Sequence, residues 1–300
     1  MASTDTPRTV RAYLTALKTA LKGEPRALIQ DALTDAEEHL RAAIQQSPGK
    51  KEADIMAEAV ASYGSPAEVA DAYRDADRKR QGPFADDGAR PSGGGTGFFG
   101  AIADPRAYGA LLYMLLSMAT GIFYFVWVVT GFSLSLGLFV LIIGIPFALL
   151  FVASVRVLAH IEGRIVESLL GVRMPRRIPS APDGSLTFGA RIKAMLTDLR
   201  TWTAMFYMVI QLALGIAYFV ISVVGLALSV ILIGAPVIQY GLKKDVLFIN
   251  EPQLDAFFNT PLGLALMVPV GLLLILVLLN LARGIGFMHG RYAEHMLVRL

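Results

Sequence analysis

The sequence predicts an all-α protein, a small N-terminal helical bundle joined to a polytopic α-helical membrane domain of two tandem repeats. Three observations carry that expectation. Residues 104–138, slid by 94 positions onto 198–232, give 16 identities in 35 pairs without a gap. The shared positions include Asp104/Asp198, Arg106/Arg200, Tyr113/Tyr207, Gly121/Gly215, Tyr124/Tyr218, Gly131/Gly225 and Ser135/Ser229, and apolar bias alone does not bring Gly, Tyr and Arg into one register. Hydrophobic residues make up 55% of the chain and charged ones 17%, with the apolar excess in runs after residue 107 that are long enough to span a bilayer. The first hundred residues instead have the charge and periodicity of a soluble chain.

The totals exclude several classes. A net charge of +3 is too small to suggest direct contact with nucleic acid. Without cysteine there is no disulfide framework, thiolate zinc site or thiol nucleophile. Arg8, Arg11 and Lys18, with no apolar core around them, argue against a cleaved signal peptide.

Four short helices are expected over 8–80. Val10, Tyr13, Leu14, Leu17 and Leu21 form one stripe that Gly23 ends. Pro25 suits the first turn of the next helix, which turns Ile29, Leu33, Ala36, Leu40 and Ile44 inward and sets Asp31, Asp35 and Glu38 on another face. A third helix carries Ile55, Met56, Ala59, Val60 and Tyr63 and stops at Gly64. Ser65-Pro66-Ala67-Glu68 is a capping box for the fourth, which ends in Arg78-Lys79-Arg80. With Tyr13, Leu14, the acidic run from Asp31 to His39-Leu40 and the turn Tyr63-Gly-Ser-Pro-Ala-Glu-Val-Ala70, residues 10–75 resemble the bacterial HAAS signalling domain. The resemblance implies a cytoplasmic interaction module with no chemistry of its own, often encoded beside a PadR-type transcriptional regulator.

Residues 81–103 are rich in Gly and Pro and read as a flexible tether with a reach of roughly 25–30 Å. The first span is expected over 107–130, with Tyr108 and Trp127 at its two rims. A turn near Gly131 leads to a second span over 132–159, bent midway at Gly144 and Pro146 and running on to Gly171. Residues 172–200 hold three prolines, then a basic amphipathic stretch suited to the membrane interface. The second copy starts with a span over 201–224, and a helix over 261–281 completes it. The exit Gly290-Arg291-x-x-Glu294-x-x-Leu297 repeats Gly163-Arg164-x-x-Glu167-x-x-Leu170. The two repeats are thus 104–177 and 198–300.

Lys and Arg set the orientation. Residues 156–200 hold eight of them against four carboxylates, while 241–259 hold two against three. Both termini and the central linker are therefore expected in the cytoplasm of a bacterial inner-membrane protein. Residues 226–240, short for a core of about 30 Å, then read as a re-entrant half-helix beside four spans, with five spans the alternative. The duplicated Asp-x-Arg-x-(Tyr/Trp), Tyr-Met, Gly-Ile-x-Tyr-Phe-Val and Gly-x-Pro pattern, closing on Leu169-Leu170-Gly171-Val172, resembles the sensor domain found ahead of some bacterial histidine kinases. In that family a cytoplasmic kinase follows. Here the chain reaches Leu300 with no phosphoacceptor helix or nucleotide-binding glycine cluster, so output is expected from the head or a partner.

Candidate residues fall into two groups. Asp31, Asp35, Glu38 and His39 offer a docking face for a basic partner, and a solvated acidic helix face explains the same residues. Phe248, Glu251, Asp255, Phe257 and Phe258 interrupt the repeat and suit an interfacial sensing loop, with a plain connector as the alternative. His160, His289 and His295 read as residues at helix ends. Ser117, Thr120, Gln211 and Ser222 read as hydrogen-bonding groups between helices. No catalytic, cofactor or metal constellation is visible. The expected function is a non-enzymatic membrane sensor that needs no cofactor. Its expected partners are the lipid bilayer and a PadR-type regulator or a kinase, with homo-oligomerisation left open. A permease or exporter component and a membrane scaffold are the alternatives.

Overall fold

The computed structural model describes residues 7–80, 97–138, 144–175, 197–242 and 260–298. Its α-carbon packing resolves two units: Met1–Ala85 with Thr130–Tyr207 and Gly290–Leu300, and Asp86–Val129 with Met208–His289. All the regular structure among the described residues is helical.

The head, in the first unit, comprises α1 (Val10–Ala20), α2 (Arg26–Gln46), α3 (Glu52–Tyr63) and α4 (Pro66–Arg80). Thr9 caps α1 by accepting from Ala12 N, which fixes where the apolar stripe begins. Tyr13, Leu17 and Leu21 are fully buried against Leu28, Ala32, Ala36, Leu40, Met56 and Ala70. The capping box forms as read, with Ser65 N donating to Glu68 Oε2 at 2.8 Å and Glu68 N to Ser65 Oγ at 3.4 Å. The Ser65 backbone N–H, and then the Ser65 side chain, hold the Glu68 carboxyl below its usual range. Gly64 takes φ 109°, a conformation that favours glycine, and its carbonyl accepts from Tyr13 Oη at 2.8 Å.

Burial, with a lesser contribution from the Glu68 charge, pushes the Tyr13 phenol up from 10.0 to about 12. A raised phenol favours the neutral folded form, so its stabilisation is intact below pH 10.0 and is lost as pH rises to about 12. Alkaline titration followed by circular dichroism should therefore show the head loosening in that window. In Tyr13→Phe this step should vanish, at a cost of about 1–2 kcal/mol for the unpaired Gly64 carbonyl.

Among the described residues, four further helices are long and apolar enough to cross a membrane: α5 (Pro105–Leu138), α6 (Gly144–Leu170), α7 (Leu199–Leu242) and α8 (Pro261–Leu297). Their boundaries correct the sequence reading at three glycines. Helix α5 passes through Gly131, because the missing side chain there makes room for the Phe151 ring. Gly144 and Pro146 lie in the first turn of α6 rather than at a mid-helix bend, a place where proline leaves no internal bond broken. Helix α7 likewise runs through Gly225, which accommodates Leu278, and through Pro236. Residues 226–240, expected as a separate half-helix, thus continue a single helix. Ala235 is buried there against Leu264 and Met267 of α8, and that packing outweighs the local breaker. At about 1.5 Å per residue, the 44 residues of α7 are far longer than a bilayer core.

Within the second unit, α5 and α7 run antiparallel. Gly121 abuts the Gln211–Leu212 backbone while Gly215 abuts Ser117–Met118. Gly121 and Gly215 are repeat equivalents, as are Ser117 and Gln211, so the contact is reciprocal. In the first unit Phe132, late in α5, meets Trp202, early in α7, with ring centroids 6.4 Å apart. The charge bias implies that both copies enter from one face, which would run these helices parallel. Loop charge reads sides only, whereas small residues decide which backbones can approach.

Candidate functional site

In the first unit the chain leaves α6 at Gly171, with φ 75°, and lays down a short strap, Val172-Arg173-Met174. The duplicated exit motif seats it. Gly163 faces the Met174 side chain, which is fully buried, and Gly290 faces Val172. Between those anchors, Arg173 reaches the head. Its guanidinium pairs with Asp31 of α2 at 3.2 Å and with Asp77 of α4, and its side chain is only 14% exposed. One cation thus clamps two head helices to the end of a membrane helix. A buried pair of this kind holds position more than it adds stability, because both charges lose water.

The repeated tyrosines mark a second feature. In the first unit Tyr207 Oη donates to Glu162 Oε1 at 3.0 Å and stacks on Tyr292. In the second unit its equivalent, Tyr113, lies 2.7 Å from His289 Nε2. Glu162 and His289 each directly precede an exit glycine, so each copy's tyrosine meets the other copy's exit helix. Gln211 Nε2 donates to Tyr113 Oη at 2.9 Å. The imidazole tautomer sets which of Tyr113 Oη and His289 Nε2 donates, and His289 Nδ1 lies 3.3 Å from Tyr218 Oη. These bonds link α7 through α5 and α8 back to α7. Tyr113→Phe removes the hydroxyl that Gln211 and His289 both bond. It should lower the midpoint of thermal unfolding in detergent by the equivalent of about 1–2 kcal/mol.

The structure redistributes the candidates read from the sequence. Asp31 is 5% exposed and held by Arg173, so it is no open docking residue. Asp35 accepts from Tyr63 Oη at 3.2 Å and Tyr73 Oη at 2.7 Å, serving the head's own packing. His39 stacks on Tyr63 with centroids 4.4 Å apart, and Glu38 is exposed. Phe248, Glu251, Asp255, Phe257 and Phe258 lie outside the described residues, as do 81–96 and the amphipathic stretch over 176–196. His289, expected at a helix end, is instead 2% exposed. Glu162 is also fully buried, so the helices do enclose ionisable groups. Gln211 bonds between helices as expected, whereas Ser117 and Thr120 bond to carbonyls of their own helix. Among the described residues no group of three or more His, Asp or Glu could hold a metal ion.

Sequence reasoning does not single out Arg173, Tyr113, Tyr207 or Glu162 as site residues. The tyrosines carry a usable signal, because they survive in both copies. Arg173 and Asp31 lie 142 positions apart, and no periodicity links them.

A family model described as "Putative sensor" matches residues 113–297, well over half of the chain. The chain belongs to the Sensor family. A second model, HAAS, matches residues 12–72 of the head of this Sensor-family chain. No curated protein and no solved structure matches it. Both matched families are signalling modules, and this family member is a membrane-associated signalling protein.

Proposed function

We propose that the chain is a bacterial inner-membrane envelope sensor whose membrane helices govern the availability of a cytoplasmic head. Residues 1–80 act as the head and 104–300 as the duplicated membrane domain, with a linker over 81–103 whose last residues are already structured. The observation that carries this reading is the Arg173 clamp on Asp31 and Asp77. Arg173 follows α6 by three residues, and Gly290, one residue after His289, faces the neighbouring Val172. A change in helix packing at His289 would reach the strap through one peptide bond and the packing of Gly290 on Val172. Release of Arg173 uncovers Asp31 beside exposed Glu38, giving an acidic face for a basic cytosolic partner, a PadR-type regulator or a kinase. The 241–259 loop, with Phe248, Glu251, Asp255, Phe257 and Phe258, remains the proposed contact with the envelope side.

Co-purification of the full chain from its native host tests the output. Arg173→Ala should capture more of a cytosolic partner than the wild type. Identical captures from both would remove the role assigned to the clamp. The buried Glu162 and His289 are what a permease or exporter component would use. Substrate-dependent flux in proteoliposomes, abolished by Gln211→Ala, would favour that alternative.

Lys and Arg counts support cytoplasmic termini with an external 241–259 loop. The antiparallel crossing of α5 and α7 favours a second topology, an inverted repeat with that loop inside and Leu300 outside. The natural chain lacks cysteine, so Gln253→Cys and Leu300→Cys report directly. External labelling of the first alone supports the charge-based topology, and of the second alone the inverted one.

A further inference from the structure

The sequence suggests a tether that runs unstructured to residue 103. Phe98–Ile102 instead forms a 3-10 helix in the second unit, ahead of α5. It is pinned on its inner side. Ala101 is fully buried against Ala107 and Leu279, Asn280 Nδ2 donates to the Phe98 carbonyl at 2.8 Å, and Tyr108 Oη donates to the Ile102 carbonyl at 2.9 Å. Its outer side is strongly apolar, with Phe99 74%, Ile102 52% and Phe98 42% exposed. A soluble turn held this firmly has no reason to show two phenyl rings to water.

We infer that this turn is an interfacial lipid anchor, with Phe98, Phe99 and Ile102 lying at the boundary between headgroups and acyl chains. Its place in the fold specifies the occupant. The exposed apolar surface of α5 continues from Tyr108 through Leu112 and Leu116, and that helix is long and apolar enough to cross a membrane. Asp104 pairs with Arg283 at 3.7 Å next to the turn, and such charges sit at the rim of a span rather than inside it. Aromatic rings beside a charged rim favour the interface, where their apolar faces leave water while nearby polar groups stay wet. The anchor would fix the point at which the linker meets the membrane.

The test uses the full chain in phosphatidylcholine nanodiscs, with Phe99→Trp as sole tryptophan over Trp127→Phe and Trp202→Phe. Lipids brominated on acyl carbons near the headgroup should quench most of its emission. Lipids brominated deep in the chains should quench less, and aqueous acrylamide should quench little. A control tryptophan at Glu38, exposed on the head, should respond to acrylamide alone. Strong acrylamide quenching of Phe99→Trp without bromolipid quenching would overturn the proposal. Protection from both quenchers would overturn it too, since a second copy or another protein surface then covers the turn. If Phe99→Trp does not assemble, the same readouts apply to Ile102→Trp.

Discussion

Arg173→Ala is expected to detach the head from the strap. With side chains 14% and 6% exposed, Arg173 and Asp31 form a largely desolvated pair, and Asp77 completes the clamp. Removing one partner of such a pair costs about 3–5 kcal/mol, because the remaining charge has lost its water. Here Asp31 escapes that cost by rehydrating, so the loss should emerge as release of the head rather than as its unfolding. The tyrosine core around Tyr13 does not involve Arg173 and should keep its melting transition. Hydrogen exchange on the full chain should show lost protection in α2 and α4 near Asp31 and Asp77, with α1 unchanged. Arg173→Lys should restore little, since a single ammonium does not reproduce a planar fork between two carboxylates. Arg173→Met combined with Asp31→Asn and Asp77→Asn should recover much of the docking, as replacing a buried ionic group entirely is often neutral.

The second large effect is expected at the crossing of α5 and α7. A side chain at Gly215 would overlap the Ser117 carbonyl, and a Cβ at Gly121 would lie 2.6 Å from the Gln211 carbonyl oxygen. Both obstacles are backbone, which cannot rotate aside. Alanine at either position should cost about 1–3 kcal/mol, and Gly215→Leu more, by forcing the helices apart. The separation should also break the Gln211–Tyr113 bond, so adding Tyr113→Phe to Gly215→Leu should cost little further. Gly137 and Gly284 have open space where a Cβ would go, so leucine there should leave thermal unfolding in detergent nearly unchanged.

These glycines explain what is and is not legible in the sequence. The head can be read almost residue by residue, because Tyr13, Leu17 and Leu21 keep a strict stripe and Ser65 to Glu68 carry a local capping signal. That the chain beyond the head is built of long apolar helices is also readable from composition. Their boundaries are not, since Gly131 reads as a turn signal and the third span as ending before Gly225, while tertiary packing uses both glycines as seats for Phe151 and Leu278. The acidic face of α2 is visible, but its use is not. Asp31 is claimed by Arg173 and Asp35 by Tyr63 and Tyr73, through contacts that span from 28 to 142 positions. His289 eludes the sequence for a related reason: position along a helix says little about which neighbours surround it.

If membrane packing controls the seating of the strap, one residue should report on it. Met174 is fully buried beside Gly163, and Met174→Cys would be the sole thiol in the chain. Its alkylation rate should be measured in nanodiscs of graded acyl length and with envelope-active peptides added. Slow alkylation is expected in an unperturbed bilayer, rising with membrane perturbation and high in every bilayer when Arg173→Ala is added. A rate that stays the same across all bilayers, with and without Arg173, would contradict control of the strap by the membrane.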